Sequence, residues 1–148
     1  MTDDELMGIA LDEARAAVRH GDVPVGAVVF LDGAVIAQRH NERELGGDPT
    51  AHAELLALRD AAATLGTSRL DGAVLATTLE PCPMCAGAAL LSRVHRIVFG
   101  ADDPKAGSVG SLYNLADDPR LNHQIAVNPG VRADECAALL TEFFEARR

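Results

Sequence analysis

Apolar and polar positions follow two periods along the chain, and these periods predict helices and strands. Apolar residues recur every three or four positions over Asp3–His20, which predicts a helix that ends at Gly21. The run Pro24–Leu31 is almost wholly apolar and is typical of a buried strand. Asp32-Gly33 favours a two-residue hairpin turn, so Ala34–Gln38 is predicted to return as a second strand.

The rest of the chain predicts three further helices and three further strands. The predicted helices are Ala51–Leu65, with Thr50 as its N-terminal cap and Gly66 after its end, Pro81–Leu91 and Val131–Arg147. The predicted strands are Gly72–Thr77, Arg96–Gly100 and Gln124–Val127. The segments 40–50 and 101–118 contain glycine, proline and asparagine or aspartate, and we expect them to be loops.

The order of these elements predicts an α/β fold. Strands alternate with helices after an initial hairpin, which implies a mixed sheet covered by helices, with one antiparallel pair at its start. The chain has 148 residues and shows no repeat or linker. We therefore expect a single domain over residues 1–148 with one hydrophobic core.

Composition and charge narrow the functional classes. Apolar residues make up 48% of the chain, but no apolar run approaches the length of about 20 residues that a membrane helix needs. The segment Met1–Glu5 is acidic and unlike a signal peptide, which favours a cytoplasmic location. The net charge of −9 argues against nucleic acid as a partner unless basic residues cluster locally.

Two of the three cysteines and one histidine belong to two motifs with chemical meaning. An odd number of cysteines argues against a disulfide framework and leaves metal or catalytic roles open. His52-Ala53-Glu54 is followed by Pro81-Cys82-Pro83-Met84-Cys85, which is the His-x-Glu and Pro-Cys-x-x-Cys pattern of zinc deaminases that act on nucleobases. Imidazole and thiolate are zinc ligands, so His52, Cys82 and Cys85 are predicted to bind Zn²⁺ and leave a fourth position for water.

Glu54 is predicted to be the catalytic residue. Positions i and i+2 of a helix do not face each other, so His52 and Glu54 can converge only if His52 lies at the start of its helix. Glu54 would then take a proton from the zinc-activated water and deliver it to the ring nitrogen and the leaving ammonia.

Cys136 leaves a different zinc site open. A fourth protein ligand would give a closed structural site with three cysteines and one histidine, in a zinc-stabilised binding module without a water position. The sequence around Cys136 is apolar, which favours a buried core cysteine instead.

The motifs lie within longer segments that resemble a known family. These segments are Val23–Val28, Asn41, Asp48–Glu54, Thr78–Ala88, Val98–Ala101, Gly110–Leu112, Asn122-His123 and Ala133–Leu140. In these segments the chain resembles the bacterial tRNA-specific adenosine deaminases of the cytidine deaminase superfamily. The zinc motif is shared by the superfamily, whereas the segments around Gly110 and Ala133 are more specific to this branch.

The resemblance implies a fold, a reaction and an assembly. It implies a three-layer α/β/α sandwich with a mixed five-stranded sheet, one Zn²⁺ per subunit and a homodimer. It also implies hydrolytic deamination of adenosine to inosine at the wobble position (A34) of a tRNA anticodon loop. The substrate contacts that it implies are Asn41, Val25, Gly26, Ala27, Leu79, Pro81, Asp103 and Phe144. Lys105, with Arg43, Arg147 and Arg148, is a candidate for phosphate contact.

A second enzymatic function remains an alternative to tRNA deamination. The acidic charge fits a deaminase of a free base or nucleoside, such as guanine or cytosine, which needs no RNA.

Overall fold

The computed structural model describes residues 1–148 and contains a five-stranded mixed sheet with the strand order β2-β1-β3-β4-β5. Strand β1 (Gly26–Leu31) pairs antiparallel with β2 (Ala34–His40) and with β3 (Val74–Leu79). Strands β4 (Arg96–Ala101) and β5 (Ala126–Asn128) continue the sheet parallel to β3. The predicted mixed sheet with an antiparallel hairpin at its start is confirmed.

Helices cover both faces of this sheet. They are α1 (Asp3–Ala17), α2 (Arg43–Gly46), α3 (Ala53–Leu65), α4 (Pro83–Leu91) and α5 (Ala133–Glu145). Helices α1 and α5 pack on one face, and α3 and α4 pack on the other. The predicted α/β/α sandwich is therefore confirmed. None of these helices combines the length and apolar composition required to cross a membrane.

Alternating side chains of the central strands build a core on each face. Leu75 and Ile97 belong to the cluster beneath α3 and α4, whereas Ala76 and Val98 belong to the cluster beneath α1 and α5. This alternation follows from the period of two in a β-strand. The cluster beneath α3 and α4 is the larger, with 19 buried residues against 10, and it supports the helices that carry the zinc motifs.

The predicted boundaries of the main elements are correct to within about two residues, and several local predictions need correction. The hairpin turn is confirmed, because Asp32 and Gly33 both have positive φ, 50° and 80°, as a type I′ turn requires. Each of the two segments predicted as loops contains a short helix, α2 in 40–50 and a 3₁₀ helix over Leu115–Asp117 in 101–118. The last turn of the first predicted helix is a 3₁₀ helix over Val18–His20.

The predicted cap of α3 was wrong. The Thr50 hydroxyl donates to Asp48 at 2.8 Å, and His52 occupies the N-cap position. The backbone N–H of Ala53 donates instead to Oδ1 of Asn41 at 2.9 Å. The capping oxygen therefore comes from Asn41, the residue after β2, and a local sequence pattern does not reveal it.

Candidate active site

The N-terminal ends of α3 and α4 bring the three predicted metal ligands together. His52 is the N-cap of α3, Cys82 is the N-cap of α4, and Cys85 lies in the first turn of α4. The Nδ1 atom of His52 is 3.6 Å from Sγ of Cys82 and 3.7 Å from Sγ of Cys85. All three ligand atoms lie within 4.8 Å of one another.

This spacing fits a tetrahedral zinc ion. Zinc bonds of about 2.3 Å to sulfur and about 2.0–2.1 Å to nitrogen place a sulfur and a nitrogen about 3.5–3.6 Å apart at two corners of a tetrahedron. Two thiolates and one imidazole leave one corner free, as in a catalytic rather than a structural site. The residues present therefore suit the metal in both donor type and geometry.

The start of α4 prepares Cys82 for metal binding. Pro83 occupies the first helical position, where its missing N–H removes no intrahelical hydrogen bond. A hydrogen bond from the Cys85 thiol, with a second from His52, lowers the pKa of Cys82 to about 4. The same contact with the Cys82 thiolate, together with burial, raises the pKa of Cys85. The lowered pKa of Cys82 favours the thiolate form that a metal ion needs, and metal binding would release the proton of Cys85.

Cys136 does not join this group. It lies on α5 in the cluster beneath α1 and α5, with a side chain that is 1% exposed, and it packs against Gly100 of β4. Burial raises the pKa of Cys136 to about 11, as expected for an inert core thiol. The closed site with three cysteines, and the binding module built on it, are therefore wrong.

Glu54 lies in the first turn of α3 and lines the same cavity as His52. The two side chains converge because His52 precedes the helix in an extended conformation, with φ −76° and ψ 147°. Glu54 is 4% exposed, and this burial raises the pKa of its carboxyl group to about 7. A carboxylate with such a pKa can both accept and return a proton near neutral pH.

The cavity beside these residues has a volume of about 230 Å³. Four of the predicted substrate contacts line it, namely Val25, Asn41, Leu79 and Asp103. The volume is below the range of about 300–1,000 Å³ for sites of drug-sized ligands, so it suits one planar base better than a whole nucleotide.

Five predicted substrate contacts do not line this cavity; they are Gly26, Ala27, Pro81, Lys105 and Phe144. Gly26 faces α1, where a Cβ would lie 1.9 Å from the carbonyl oxygen of Ala10. Ala27 is fully buried in the core. Lys105 and Phe144 are exposed, and Phe144 lies on α5, on the opposite face of the sheet from α3.

Two buried carboxylates at the cavity wall were missed by sequence reasoning. Glu80 is 1% exposed and accepts hydrogen bonds from the backbone N–H groups of Asp103, Val109 and Ser111, at 3.1, 3.2 and 2.9 Å, and from the Ser111 hydroxyl. Burial acts to raise the pKa of Glu80, but these hydrogen bonds outweigh it and hold the pKa below its usual value. Glu80 thereby fixes the 101–118 loop to the cavity wall.

Asp22 has the same role for α2. Its carboxylate is 1% exposed and accepts from the backbone N–H of Glu44 at 2.7 Å and of Leu45 at 3.1 Å. These are the free donors at the start of α2, which explains why this short segment is helical without an apolar period. The sequence shows Asp22 as an acidic residue between two apolar segments. It does not show that Asp22 contacts Glu44 and Leu45, more than 20 positions away.

Asn41 connects three segments around the cavity. Its amide nitrogen donates to the carbonyl of Val23 at 3.0 Å, and its amide oxygen accepts from the backbone of Ala53. The side chain therefore fixes the start of α3, where His52 and Glu54 lie, and keeps one amide N–H for the cavity.

Sequence comparison identifies relatives along the whole chain. A family model described as the cytidine and deoxycytidylate deaminase zinc-binding region matches residues 1–101. The chain is 52% identical over 149 residues to the tRNA-specific adenosine deaminase of Bacillus subtilis (strain 168). That alignment covers 100% of this chain and 92% of the relative.

Solved structures of deaminases have the same fold as this chain. A structure from a study of A-to-I editing by tRNA:A34 deaminases at the wobble position of transfer RNA superposes with a TM-score of 0.88 and 44% identity, covering 92% of this chain and 99% of the other. The guanine deaminase from Nitrosomonas europaea superposes with a TM-score of 0.82 and 31% identity, covering 95% and 83%. Fold, ligand geometry and sequence thus agree, and the chain belongs to the zinc-binding cytidine and deoxycytidylate deaminase family.

Proposed function

We propose that this protein is a hydrolytic deaminase that converts adenosine to inosine at the wobble position (A34) of a tRNA anticodon. One observation carries the proposal: the tetrahedral spacing of His52, Cys82 and Cys85 beside the buried carboxylate of Glu54, in a cavity of about 230 Å³. Full-length similarity to tRNA-specific adenosine deaminases supports this choice of substrate.

His52, Cys82 and Cys85 would hold one Zn²⁺ ion per subunit. When bound there, zinc supplies a hydroxide nucleophile at neutral pH by lowering the pKa of water to about 7. Glu54 accepts the proton that the water loses. It would then give this proton to the ring nitrogen as the hydroxide adds to C6. Glu54 would next take the proton of the new C6 hydroxyl group and give it to the amino group, so that the C6–N bond breaks, ammonia leaves and a carbonyl oxygen remains at C6.

The cavity walls would position the base for this reaction. Val25 and Leu79 offer apolar contact with the ring, and the remaining amide N–H of Asn41 can donate to the base or ribose. We propose that Asp103 lies near the sugar of a neighbouring nucleotide. Gly26, Ala27 and Pro81 flank these contacts in sequence, whereas Lys105 and Phe144 would meet the RNA outside the cavity.

An anticodon loop suits a cavity of this size. The target base must leave its stack to reach a buried carboxylate, and a single-stranded loop costs less to unstack than a duplex. The net charge of −9 is unfavourable for RNA in general, so phosphate contact would depend on local cations such as Arg43, beside the cavity, and Lys105.

The decisive experiment is an inosine assay on defined RNA. Zinc-loaded protein is incubated with a tRNA transcript that carries A34 and with a matched transcript that carries G34, and inosine is detected by sequencing. We expect inosine at position A34 only, and no product with Glu54→Ala. Absence of inosine with the zinc-loaded protein would defeat the proposal.

Deamination of free guanine is the second candidate function. The structural similarity to a guanine deaminase and the acidic charge favour it. The same preparation is therefore assayed for ammonia release from free guanine. Rapid turnover of guanine without RNA would select this function, whereas activity on RNA that falls steeply with added salt would select the first.

Assembly and location stay predictions. By resemblance to the family we propose a homodimer in the cytoplasm. Light scattering at micromolar concentration would test the dimer, and a monomer mass would contradict it.

A further inference from the structure

Two histidines and two carboxylates form a chain of contacts that the deamination chemistry does not use. Nδ1 of His20 lies 2.6 Å from Oδ2 of Asp22, and Nδ1 of His40 lies 3.2 Å from Oε1 of Glu13. The Nε2 atoms of the two histidines face each other at 3.1 Å. We call these four residues the His20–His40 cluster; they come from α1, the following 3₁₀ turn, the loop between that turn and β1, and the end of β2.

Two neutral histidine rings do not carry enough N–H hydrogens for all the contacts of this cluster. An ionised carboxylate only accepts hydrogen bonds, so each Nδ1 must carry a hydrogen. A neutral imidazole has one N–H, so both Nε2 atoms would then present lone pairs to each other at 3.1 Å. A metal ion bound to both Nε2 atoms would accept both lone pairs.

We propose that His20 and His40 bind a divalent transition metal ion of the zinc class through their Nε2 atoms. Two imidazole nitrogens bound at about 2.0–2.1 Å lie about 2.9 Å apart at a right angle and about 3.4 Å apart at a tetrahedral angle. The observed separation of 3.1 Å falls between these values. The ligand spacing is therefore already present.

The carboxylates complete the arrangement. Metal-binding histidines usually donate their second ring N–H to a carboxylate or carbonyl, which fixes the ring and strengthens the ligand. Asp22 and Glu13 are placed for this contact on one histidine each. Their two negative charges offset the charge of a divalent ion. The histidine side chains are 18% and 22% exposed, so water can complete the coordination.

This site is separate from the deaminase centre but reaches its wall. It shares no ligand with the group of His52, Cys82 and Cys85. Asp22 connects the two, because the carboxylate that contacts His20 also accepts from the backbone of Glu44 and Leu45. An ion on His20 and His40 would therefore stabilise α2, which borders the cavity. The inference does not depend on which substrate is deaminated.

Metal stoichiometry tests the site. Protein with one zinc ion bound is dialysed against buffer containing Zn²⁺ alone, and bound zinc is measured by elemental analysis. We expect two zinc ions per chain for the unmodified protein and one for His20→Asn and His40→Asn. The exposed His95→Asn is the matched control and should retain two. The zinc ion bound by His52, Cys82 and Cys85 serves as a control for folding, because a misfolded variant would lose that ion as well.

A second variant separates ligand loss from local disturbance. Glu13→Gln keeps both histidines but weakens the support of His40, so the affinity for the second ion should fall about 10–100-fold while the first ion stays bound. ¹⁵N NMR should show the Nε2 resonances of His20 and His40 shifting on the second addition of zinc. One zinc ion in the unmodified protein, or two in both histidine variants, would overturn the proposal.

Discussion

Glu54 and Glu80 are two glutamates at the wall of one cavity, and they differ in what surrounds them. Both are almost fully buried, at 4% and 1% exposure. Burial raises the pKa of Glu54 to about 7, because the hydrogen bond from its own backbone does not offset it. At Glu80, hydrogen bonds from Ser111, Asp103 and Val109 outweigh burial and lower the pKa.

The difference shows that burial alone does not assign a role to a carboxylate. Without enough fixed donors, a buried carboxylate competes for protons near neutral pH and can move them. With four donors it stays ionised and holds chain segments together. We therefore expect Glu54 to control turnover and Glu80 to control the shape of the loop at the cavity.

Replacement of Glu54 should have the largest effect. Glu54→Gln keeps the size of the side chain but removes proton transfer, so we expect the rate of deamination to fall by about 10²–10⁴-fold or more. Zinc content should not change, because Glu54 is not a ligand. Single-turnover inosine formation and elemental analysis measure the two quantities.

Two control variants show how to interpret the result for Glu54→Gln. The exposed Glu142→Gln on α5 makes the same chemical change away from the cavity and should leave rate and zinc content unchanged. Cys82→Ala should lose zinc. If Glu54→Gln lost zinc to the same extent, Glu54 would be a ligand and its assigned role would be wrong.

Replacement of Glu80 should affect stability first. Glu80→Gln replaces one carboxylate oxygen with an NH₂ group, either the oxygen that accepts from Asp103 or the one that accepts from Val109 and Ser111, so at least one buried N–H loses its acceptor. We expect the free energy of unfolding to fall by about 1–3 kcal/mol. KM should rise because the 101–118 loop moves, and zinc should stay bound. Urea unfolding measures the change, with Glu142→Gln again as the control.

A methyl group at Gly107 should disturb the same contact by a smaller amount. A Cβ there would lie 2.4 Å from the Glu80 carboxylate and 2.5 Å from the carbonyl oxygen of Asp103. We expect Gly107→Ala to cost about 1 kcal/mol by overpacking. The cost should be less than additive with Glu80→Gln, whose contact it already disturbs. Gly46→Ala, with no atom within 4 Å of the added carbon, is the matched control. Full additivity would show that Gly107 acts independently of Glu80.

The contrast between the two glutamates also marks what the sequence could predict. Periodicity predicted the main helices and strands, and the motif spacing predicted that His52, Cys82 and Cys85 converge. Periodicity is visible within a short window of sequence, and the zinc site is recognised from two short motifs. The anchoring role of Glu80 depends on Ser111, 31 positions away, and the cap of α3 depends on Asn41, 12 positions before Ala53. Such contacts form only after the chain folds, so local patterns miss them.

Asp3 offers a separate test of the rule that hydrogen-bond donors lower the pKa of a carboxyl group despite burial. Its replacement should have the smallest effect. Its side chain is 23% exposed, so burial is incomplete, and it accepts hydrogen bonds from Arg96 and from Asn128 at 2.7 Å. The hydrogen bond from Arg96 lowers the pKa of Asp3 below 3.8 despite partial burial. A lowered pKa in the folded state means that this stability is fully present above pH 3.8 and is lost as pH falls through the folded-state pKa.

Asp3→Asn should therefore cost about 1 kcal/mol at neutral pH, where the partly exposed pair is weakened by solvent. The cost should shrink below pH 3.8, since the original carboxyl group then becomes neutral too. Urea unfolding of both proteins across this range measures the difference. A cost that stays constant with pH would mean that the Asp3 contacts depend on shape rather than charge. It would also weaken the argument that hydrogen-bond donors, and not burial, set the charge of Glu80.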